Sequence, residues 1–577
     1  MNTTQTTIRV FPFRRVRLRI PGCGLLAGGM MWAVWLTGCT PPTPHIHTPP
    51  DTLVVALEAA PQTLHPFFAT DATGVRISHQ LLYRTLVGLG DHLEIIPGAA
   101  RSWQKTTPTH YRFQMAPGER FSDGSPVEAQ DAAATFHALM DPAQASPYGA
   151  MLRQKIRRVW ASGPMTLEME LTAPYASLLA DLILPVVSRK GLASPAPGPD
   201  EEIQPPEMRM PLGSGPFVLE SWEPGHIVLK RSPRGGMDNP AKDAARKKAD
   251  RPEKADRPKK GNPRGAARLE FKVVTDANTR LLKFRKGDVD LAVNAMPLEK
   301  IKLFTLAPLS AAYRVMEAPG LSYQYLGFNL TSKPLDDPRV RRAIAMAVNL
   351  PALIARRQAG HSTPATGLFP QTSPWSRPPG PQDPVFNPDE AARLLDNAGY
   401  PLREGERFRL EYKTTTDRSA VAQARAISAD LARVGIHVEV RSFEWGTYYQ
   451  DIQRGNFQLF SLRWIGVTDP DFLFDLYHSG QIPPVGKNRN RYRNPRVDRL
   501  LEAGRLEQNP VRRAAIYGQA QEILAADLPV VPMWHNNNIA VVNRRVHGFR
   551  LHPSGGFQYL PLAYKSPESP EKDSNNF

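Results

Sequence analysis

Cys23 and Cys39 are the only thiols in the 577 residues, and Cys39 sits where a thiol can be put to covalent use. Small residues lead into it, in the run Leu36-Thr37-Gly38-Cys39. Ahead of them, Arg9, Arg14, Arg15, Arg17 and Arg19 precede an apolar, glycine-rich stretch from about Gly22 to Leu36, with no acidic residue. That stretch is short for a bilayer core of about 30 Å, so the pattern predicts a cleaved export signal and not a membrane-spanning helix. With cleavage before Cys39, the mature chain keeps one acylatable cysteine and has neither a disulfide nor a cysteine metal site. Other covalent chemistry lacks its parts: there is no GxSxG elbow and no HExxH. Asp123 and Asp131 have the types for an acid/base pair, but turn and cap roles account for both. His45 and His47 are spaced either to touch a metal or to act as polar spacers. No metal site, cofactor or catalytic residue is expected.

Charge narrows the class further. The net +17 is concentrated: the leader carries five arginines, and the segment Arg234 to Arg268 has twelve Lys/Arg against five Asp/Glu. The remainder is only mildly basic. The basic segment lacks aromatics and large aliphatics, so it predicts a mobile loop, either touching anionic lipid or cell-wall polymer or simply solvated. Without interleaved aromatics, nucleic acid is not an expected partner.

These features rest on an alternation of strands and helices. Thr52 to Leu57, Thr166 to Leu171, Ile227 to Arg231, Tyr323 to Asn329, Ile436 to Arg441 and Phe457 to Trp464 read as strands, and Val530 to Met533 and Ile539 to Asn543 as two more. Tyr111 to Met115 should pair with Phe121 to Gly124 across Pro117-Gly118. Helices are expected from Val75 to Leu86, Glu128 to Met140, Asn278 to Phe284, Pro338 to Val348, Asn387 to Gly399, Ala420 to Val434 and Arg512 to Ala526. Asp337-Pro338 and Asn387-Pro388 supply starts, and Gly287, Gly399 and Gly435 supply stops. The mixture predicts an α/β protein of two lobes, not a repeat array.

The leader's end resembles a bacterial lipobox, whose cysteine is lipidated and becomes the N-terminus; Thr40 is not the aspartate that retains many lipoproteins at an inner membrane. Across nearly all of the remaining chain, collinear motifs resemble the solute-binding proteins of ABC importers of the peptide/nickel class (family 5). They are Leu81-Leu82-Tyr83-Arg84-Thr85-Leu86, Ile96-Pro97-Gly98-Ala99-Ala100-Arg101-Ser102-Trp103, Phe121-Ser122-Asp123-Gly124-Ser125-Pro126 with Gln130-Asp131, and Gly213-Ser214-Gly215-Pro216-Phe217. Phe328-Asn329 with Pro334 through Arg341, and Asn387 through Tyr400, continue the series. The resemblance implies a bilobed periplasmic-binding-protein-like fold (type II, large peptide-binding class) with an extra subdomain inserted in the first lobe. The expected organisation is a signal peptide at 1–38, a proline-rich tether at 39–50 and lobe I at 51–80. An inserted subdomain follows at 81–209, then lobe I again at 210–320 with the basic loop 234–268. Lobe II takes 321–526, lobe I returns at 527–565, and a tail ends the chain at 566–577. Hinges are expected near Pro319 to Tyr323 and Ala526 to Val530.

The resemblance also implies a function: a monomeric receptor, held to the membrane by lipid on the periplasmic or cell-surface face, that captures a peptide-like solute and delivers it to a permease. No phosphate-binding loop is present, so the ATPase subunits must be separate chains. Ligand-facing positions carried over are Trp464, Trp445, Tyr148 and Tyr325, with His65 on the Leu64-His65-Pro66 loop. One departure bears on specificity. Peptide-binding relatives place an aspartate three residues after the tryptophan matching Trp464, where it meets the ligand's α-ammonium; here that position is Val467. Asp469 could slide into the role or build the following turn, and Arg463 could attract an anionic group. A valine cannot compensate a buried ammonium, so free peptide N-termini are not expected to bind in the usual way. Saccharides, metal chelates and a ligand-sensing role are the alternatives, with an exported hydrolase the most distant.

Overall fold

The computed structural model describes residues 46–192, 210–233 and 265–566. The leader, Cys39, the tether to residue 45, most of the basic segment 234–268 and the tail from 567 lie outside the described residues. The fold is the bilobed α/β arrangement, strung on one sheet of eleven strands. From one edge the order is Phe217–Glu223, His226–Arg231, Arg268–Val273, Thr52–Leu57, Leu291–Val293, Val530–Asn543, Tyr313–Phe328, Leu459–Ile465, Phe408–Thr415 and Ile436–Phe443. Ser362–Pro364 also pairs with Val530–Asn543.

Thr52–Leu57 shows why the sheet is buried on both faces. It runs parallel to both Arg268–Val273 and Leu291–Val293, and all six of its residues are buried. Leu53, Val55 and Leu57 enter one core while Val54 and Ala56 enter another on the opposite face, which is what a nearly continuous apolar strand requires. The far half of the sheet repeats the plan. Leu326, Phe328, Leu410 and Tyr412 face one core, and Tyr323, Tyr325 and Phe460 face the other. A separate antiparallel sheet, in the order Ala100–Thr107, His110–Met115, Thr166–Leu171, Ile156–Gly163, is backed by the helix Ala129–Met140.

Three expectations change. Val530–Asn543 is one continuous strand of 14 residues, and its partner Tyr313–Phe328 runs for 16; the polar run His535-Asn536-Asn537-Asn538 looked like a break. Phe121 to Gly124 is a turn closed by Phe121 N–H to Ser125 O (2.9 Å), not a strand; His110–Met115 pairs instead with Ala100–Thr107 and Thr166–Leu171. The first helix begins early, at Ala72, and widens into a π turn over Ser78–Leu82. Helix stops behaved as composition suggests: Gly287 follows Ala277–Lys286 with φ of 76°, a backbone state cheap for glycine alone. Among the described residues no helix is long and apolar enough to cross a membrane.

A buried ion pair fastens the ends of the chain. Asp290 is fully buried; its carboxylate accepts from Thr48 Oγ1 (2.7 Å), Val54 N (3.0 Å), Asn543 Nδ2 (3.2 Å) and Lys565 Nζ (3.1 Å). His47 N also bonds Gly287 O at 3.1 Å, so the last tether residues lie against the body. Asp290→Ala leaves the Lys565 ammonium buried without a counter-charge, a loss of about 3–5 kcal/mol. The prediction is a lower urea midpoint with an unchanged slope.

Candidate functional site

Strand alternation decides which predicted residues converge. On Leu459–Ile465, Arg463 is exposed, while the next residue, Trp464, is half-buried at the margin of the far core. Trp464 lies parallel to Tyr325 on the neighbouring strand, with centroids 6.4 Å apart and planes within 10°. Phe472 meets it edge-on at 5.1 Å. Tyr325 stacks in turn on Tyr323 (5.7 Å), which faces His535 of the partner strand at 5.4 Å. The aromatic series therefore spans both long strands.

A cation completes this wall. The Arg489 guanidinium lies 4.4 Å over the Trp464 ring; its Nη2 donates to the Tyr449 hydroxyl (2.9 Å) and its Nη1 to the Tyr325 hydroxyl (3.4 Å). Tyr449 stacks on Trp445 at 5.4 Å, and Trp445 opens the helix Trp445–Arg454 with 56 % of its surface exposed. Trp464, Tyr325 and Trp445 are thus brought together, through Tyr449 and Arg489, two residues that motif matching missed. Burial pushes the Tyr449 phenol upward, but the charge and hydrogen bond of Arg489 outweigh it and hold the group below its ordinary value. Beside them a small cavity is lined by Tyr325, Trp464, Leu476, Tyr477, Lys487 and Asn490. Asn490 braces it by donating to the Phe328 and Pro529 carbonyls at 2.8 and 2.9 Å.

Asp469 is committed elsewhere. Its carboxylate makes a bidentate pair with Arg513 (2.6 and 3.0 Å) and accepts the Asp471 N–H at 2.8 Å. The Asp-Pro turn reading is the one this geometry matches, and Val467 contributes its side chain to the margin of the same core. His65 and Tyr148 form a second group around the loop 65–69. The buried His65 ring accepts from Phe67 N (3.2 Å) and lies against Phe67 and Phe68. The Tyr148 hydroxyl donates to the Ala69 carbonyl (2.5 Å), and Ser146 Oγ to that of Phe67 (2.9 Å). Desolvation brings His65, His79 and His535 each down to about 4, so all three are neutral near pH 7. Burial pushes the Tyr148 phenol up to about 12.

Contacts also join the segment after Thr166–Leu171 to the Trp464 side of the molecule. Ser177 Oγ donates to Asp471 Oδ2 (3.2 Å), and Ala176 N–H to the Arg505 carbonyl (3.2 Å). Arg505 pairs with Asp471 at 3.0 Å, and Lys155 holds Ser177 and Asp181 at 3.2 and 2.6 Å. Burial raises Asp181, Lys155 opposes that shift, and the nearby Asp469 and Asp471 add to it. No local motif marks Ser177 or Arg505; their partners are distant in sequence.

The model for the bacterial extracellular solute-binding proteins, family 5 (middle region), matches residues 94–483. The "Probable di/tripeptide-binding protein 5" of Pseudomonas aeruginosa (strain UCBPP-PA14) is 27 % identical over 547 residues, 89 % of this chain and 96 % of its own. The "Dipeptide-binding protein" of Escherichia coli (strain K12) is 26 % identical over 532 residues, 87 % of this chain and 93 % of its own. HbpA2 from Haemophilus parasuis superposes with a TM-score of 0.73 at 24 % identity, over 90 % of this chain and 100 % of its own. The matched region runs from just ahead of the small antiparallel sheet, through Tyr313–Phe328 and Leu459–Ile465, to Pro483, and on that footing the chain belongs to the family 5 bacterial extracellular solute-binding proteins.

Proposed function

We propose that the chain is a lipid-anchored receptor that closes two lobes on a peptide-like solute and presents it to an ABC permease. The carrying observation is the aromatic wall of Trp464, Tyr325, Tyr449 and Trp445, built on and beside the strands that pass between the lobes. Relatives named for di- and tripeptides support the solute class, and the lipobox-like run ending at Cys39 supports the anchor. The chain binds and does not turn over its ligand. His65 and Tyr148 shape the opposite wall by fixing loop 65–69. The hinge lies where pairing slips, at Pro319/Ser322, with Asn536 and Asn537 opposite. The bonds of Ser177 and Ala176 to Asp471 and Arg505 hold the closed shape. Closure shifts a population only as far as the ligand binds it better than the open form.

Because Asp469 is held by Arg513 and Val467 is apolar, the ligand's α-ammonium has no carboxylate here. N-acetylated and free peptides of two to six residues should therefore raise the melting temperature equally at equal concentration. A shift confined to free peptides assigns a carboxylate to the ammonium and sinks this reading. Trp464→Ala should weaken binding by about 1–3 kcal/mol through lost stacking; calorimetric titration showing unchanged affinity removes Trp464 from the site. The neutral histidines fix the sign of the pH response. Unfolded histidine titrates near 6.5, so stability is complete above that value. It falls as the pH drops from 6.5 towards 4, by up to about 3 kcal/mol per histidine. Calorimetric unfolding at pH 5.5 should show net proton uptake, and at pH 8 none from these groups.

A further inference from the structure

Seven cationic side chains are buried among the described residues, and six have an evident counter-group. Lys155 meets Asp181, Arg377 meets Asp383, Arg513 meets Asp469 and Lys565 meets Asp290. Arg341 donates to four carbonyl groups, those of Leu335, Asp336, Asp527 and Leu528. Arg280 donates to the carbonyls of Val274 and Thr275 and lies 3.8 Å from Glu58. Arg489 is the exception. It is 7 % exposed, yet it touches only ring faces and two phenol hydroxyls. The carboxylates of Asp475 and Asp451, on the helices Phe472–Tyr477 and Trp445–Arg454, answer to other cations, Lys487 at 2.9 Å and Lys413 at 2.8 Å. A guanidinium presents five N–H donors in a planar fork, and two engaged with neutral oxygens leave three for a partner. A buried charge without a counter-charge is costly, and that cost is tolerated where a ligand supplies the missing charge.

The location matches. Arg489 covers one face of Trp464, and Trp464 in turn lines a small cavity with Tyr325 and Lys487; Lys487 also lies 4.5 Å over the Phe472 ring. We propose that Arg489 is a ligand-binding residue that receives a carboxylate of the captured solute, through a bidentate charge-assisted pair at the foot of the Trp464 wall. The proposal rests on the reading of that wall as the solute face. It commits to a carboxylate-bearing solute and reverses the charge logic of a site that seizes an ammonium. The planar fork suits a carboxylate, and stacking on Trp464 fixes its orientation without an acidic residue from the protein. The carboxylate is either a chain terminus or an acidic side chain.

The test is calorimetric titration of the full chain with Ala-Ala-Ala, its C-terminal amide, and N-acetyl-Ala-Asp-Ala amide. The expected result is that at least one carboxylate-bearing peptide binds about tenfold or more tighter than the amide. Preference for Ala-Ala-Ala names the terminus; preference for the aspartyl peptide names the side chain. Arg489→Gln should collapse that ratio towards one, and Arg489→Lys, which keeps the charge but not the fork, should restore part of it. Equal binding of acids and amide by the natural chain overturns the proposal. So does an Arg489→Gln variant that melts normally and keeps the ratio. Glutarate separates failure of the peptide reading. If no peptide binds but glutarate raises the melting temperature of the natural chain and not of Arg489→Gln, the carboxylate site stands without peptides. Protection by neither class overturns it.

Discussion

The backbone pairing of Tyr313–Phe328 with Val530–Asn543 is the constraint on which the two lobes depend. Both strands run through the centre of the sheet, so each lobe completes its β layer on the same two segments. The lower residues meet the lobe I strand Leu291–Val293, and the upper ones meet Leu459–Ile465. Pairing is regular at both ends and slips between Pro319 and Ser322 and again between Gln324 and Tyr325. A slip leaves an unpaired residue and a local bend, which is how a ladder bends without losing its flanking bonds. Gly320 suits this place for a packing reason: an added Cβ would lie 2.4 Å from the Asn536 carbonyl oxygen. The two halves of the sheet are thus held in register by hydrogen bonds, and the ladder is interrupted where the proposed hinge lies.

The aromatic wall grows from the same strands, which on the proposed reading would tie recognition to motion. Tyr323 and Tyr325 lie within two residues of the slips, and His535 faces Tyr323 from the opposing strand. A solute that contacts Trp464 and Tyr325 therefore acts beside the bending point. Packing between these segments gains further support where Ser177 reaches Asp471, since Asp471 also satisfies Arg505 and lies 3.4 Å from the Tyr517 hydroxyl. Each partner there is charged or polar, and Ser177, Asp471 and Tyr517 are buried, so the join is specific in register.

Local signals in the sequence reported local structure well. Asp337, Asn387 and the glycine stops mark real helix ends, and Asn494-Pro495 and Asn509-Pro510 carry the same start signal for Pro495–Leu506 and Pro510–Asp527. What escaped was structure whose pattern changes along its length. Val530–Asn543 leaves one lobe's core, crosses partly exposed ground at Asn536 and Asn537, and enters the other's. Reading one buried face per strand therefore cut it in two. Tyr323 to Asn329 was legible for the complementary reason, being a nearly continuous buried run whose two faces enter two cores. The family pattern pointed to Trp464 and Tyr325, which lie parallel on neighbouring strands. It could not locate Arg489, which sits in Lys487-Asn488-Arg489-Asn490-Arg491, a run that reads locally as a solvated basic turn.

That run also shows why charge counts mislead about sites. Arg491 is half-buried and donates to the Gln453 carbonyl, whereas Arg489, two residues earlier, is buried against the aromatic wall; Asn488 and Asn490 donate to backbone carbonyls and fix the turn. The proposal for Arg489 rests on the absence of a hydrogen-bonded carboxylate among its described partners, and only tertiary structure reveals an absence. Two features then point the same way. Where the family resemblance leads one to expect an aspartate after Trp464, Val467 stands instead, and across the same tryptophan lies the buried Arg489. On the proposed reading of that wall as the solute face, these two residues would favour an anionic group over an ammonium more strongly than the aromatic contacts do, because stacking is tolerant of chemistry and an unpaired buried charge is not.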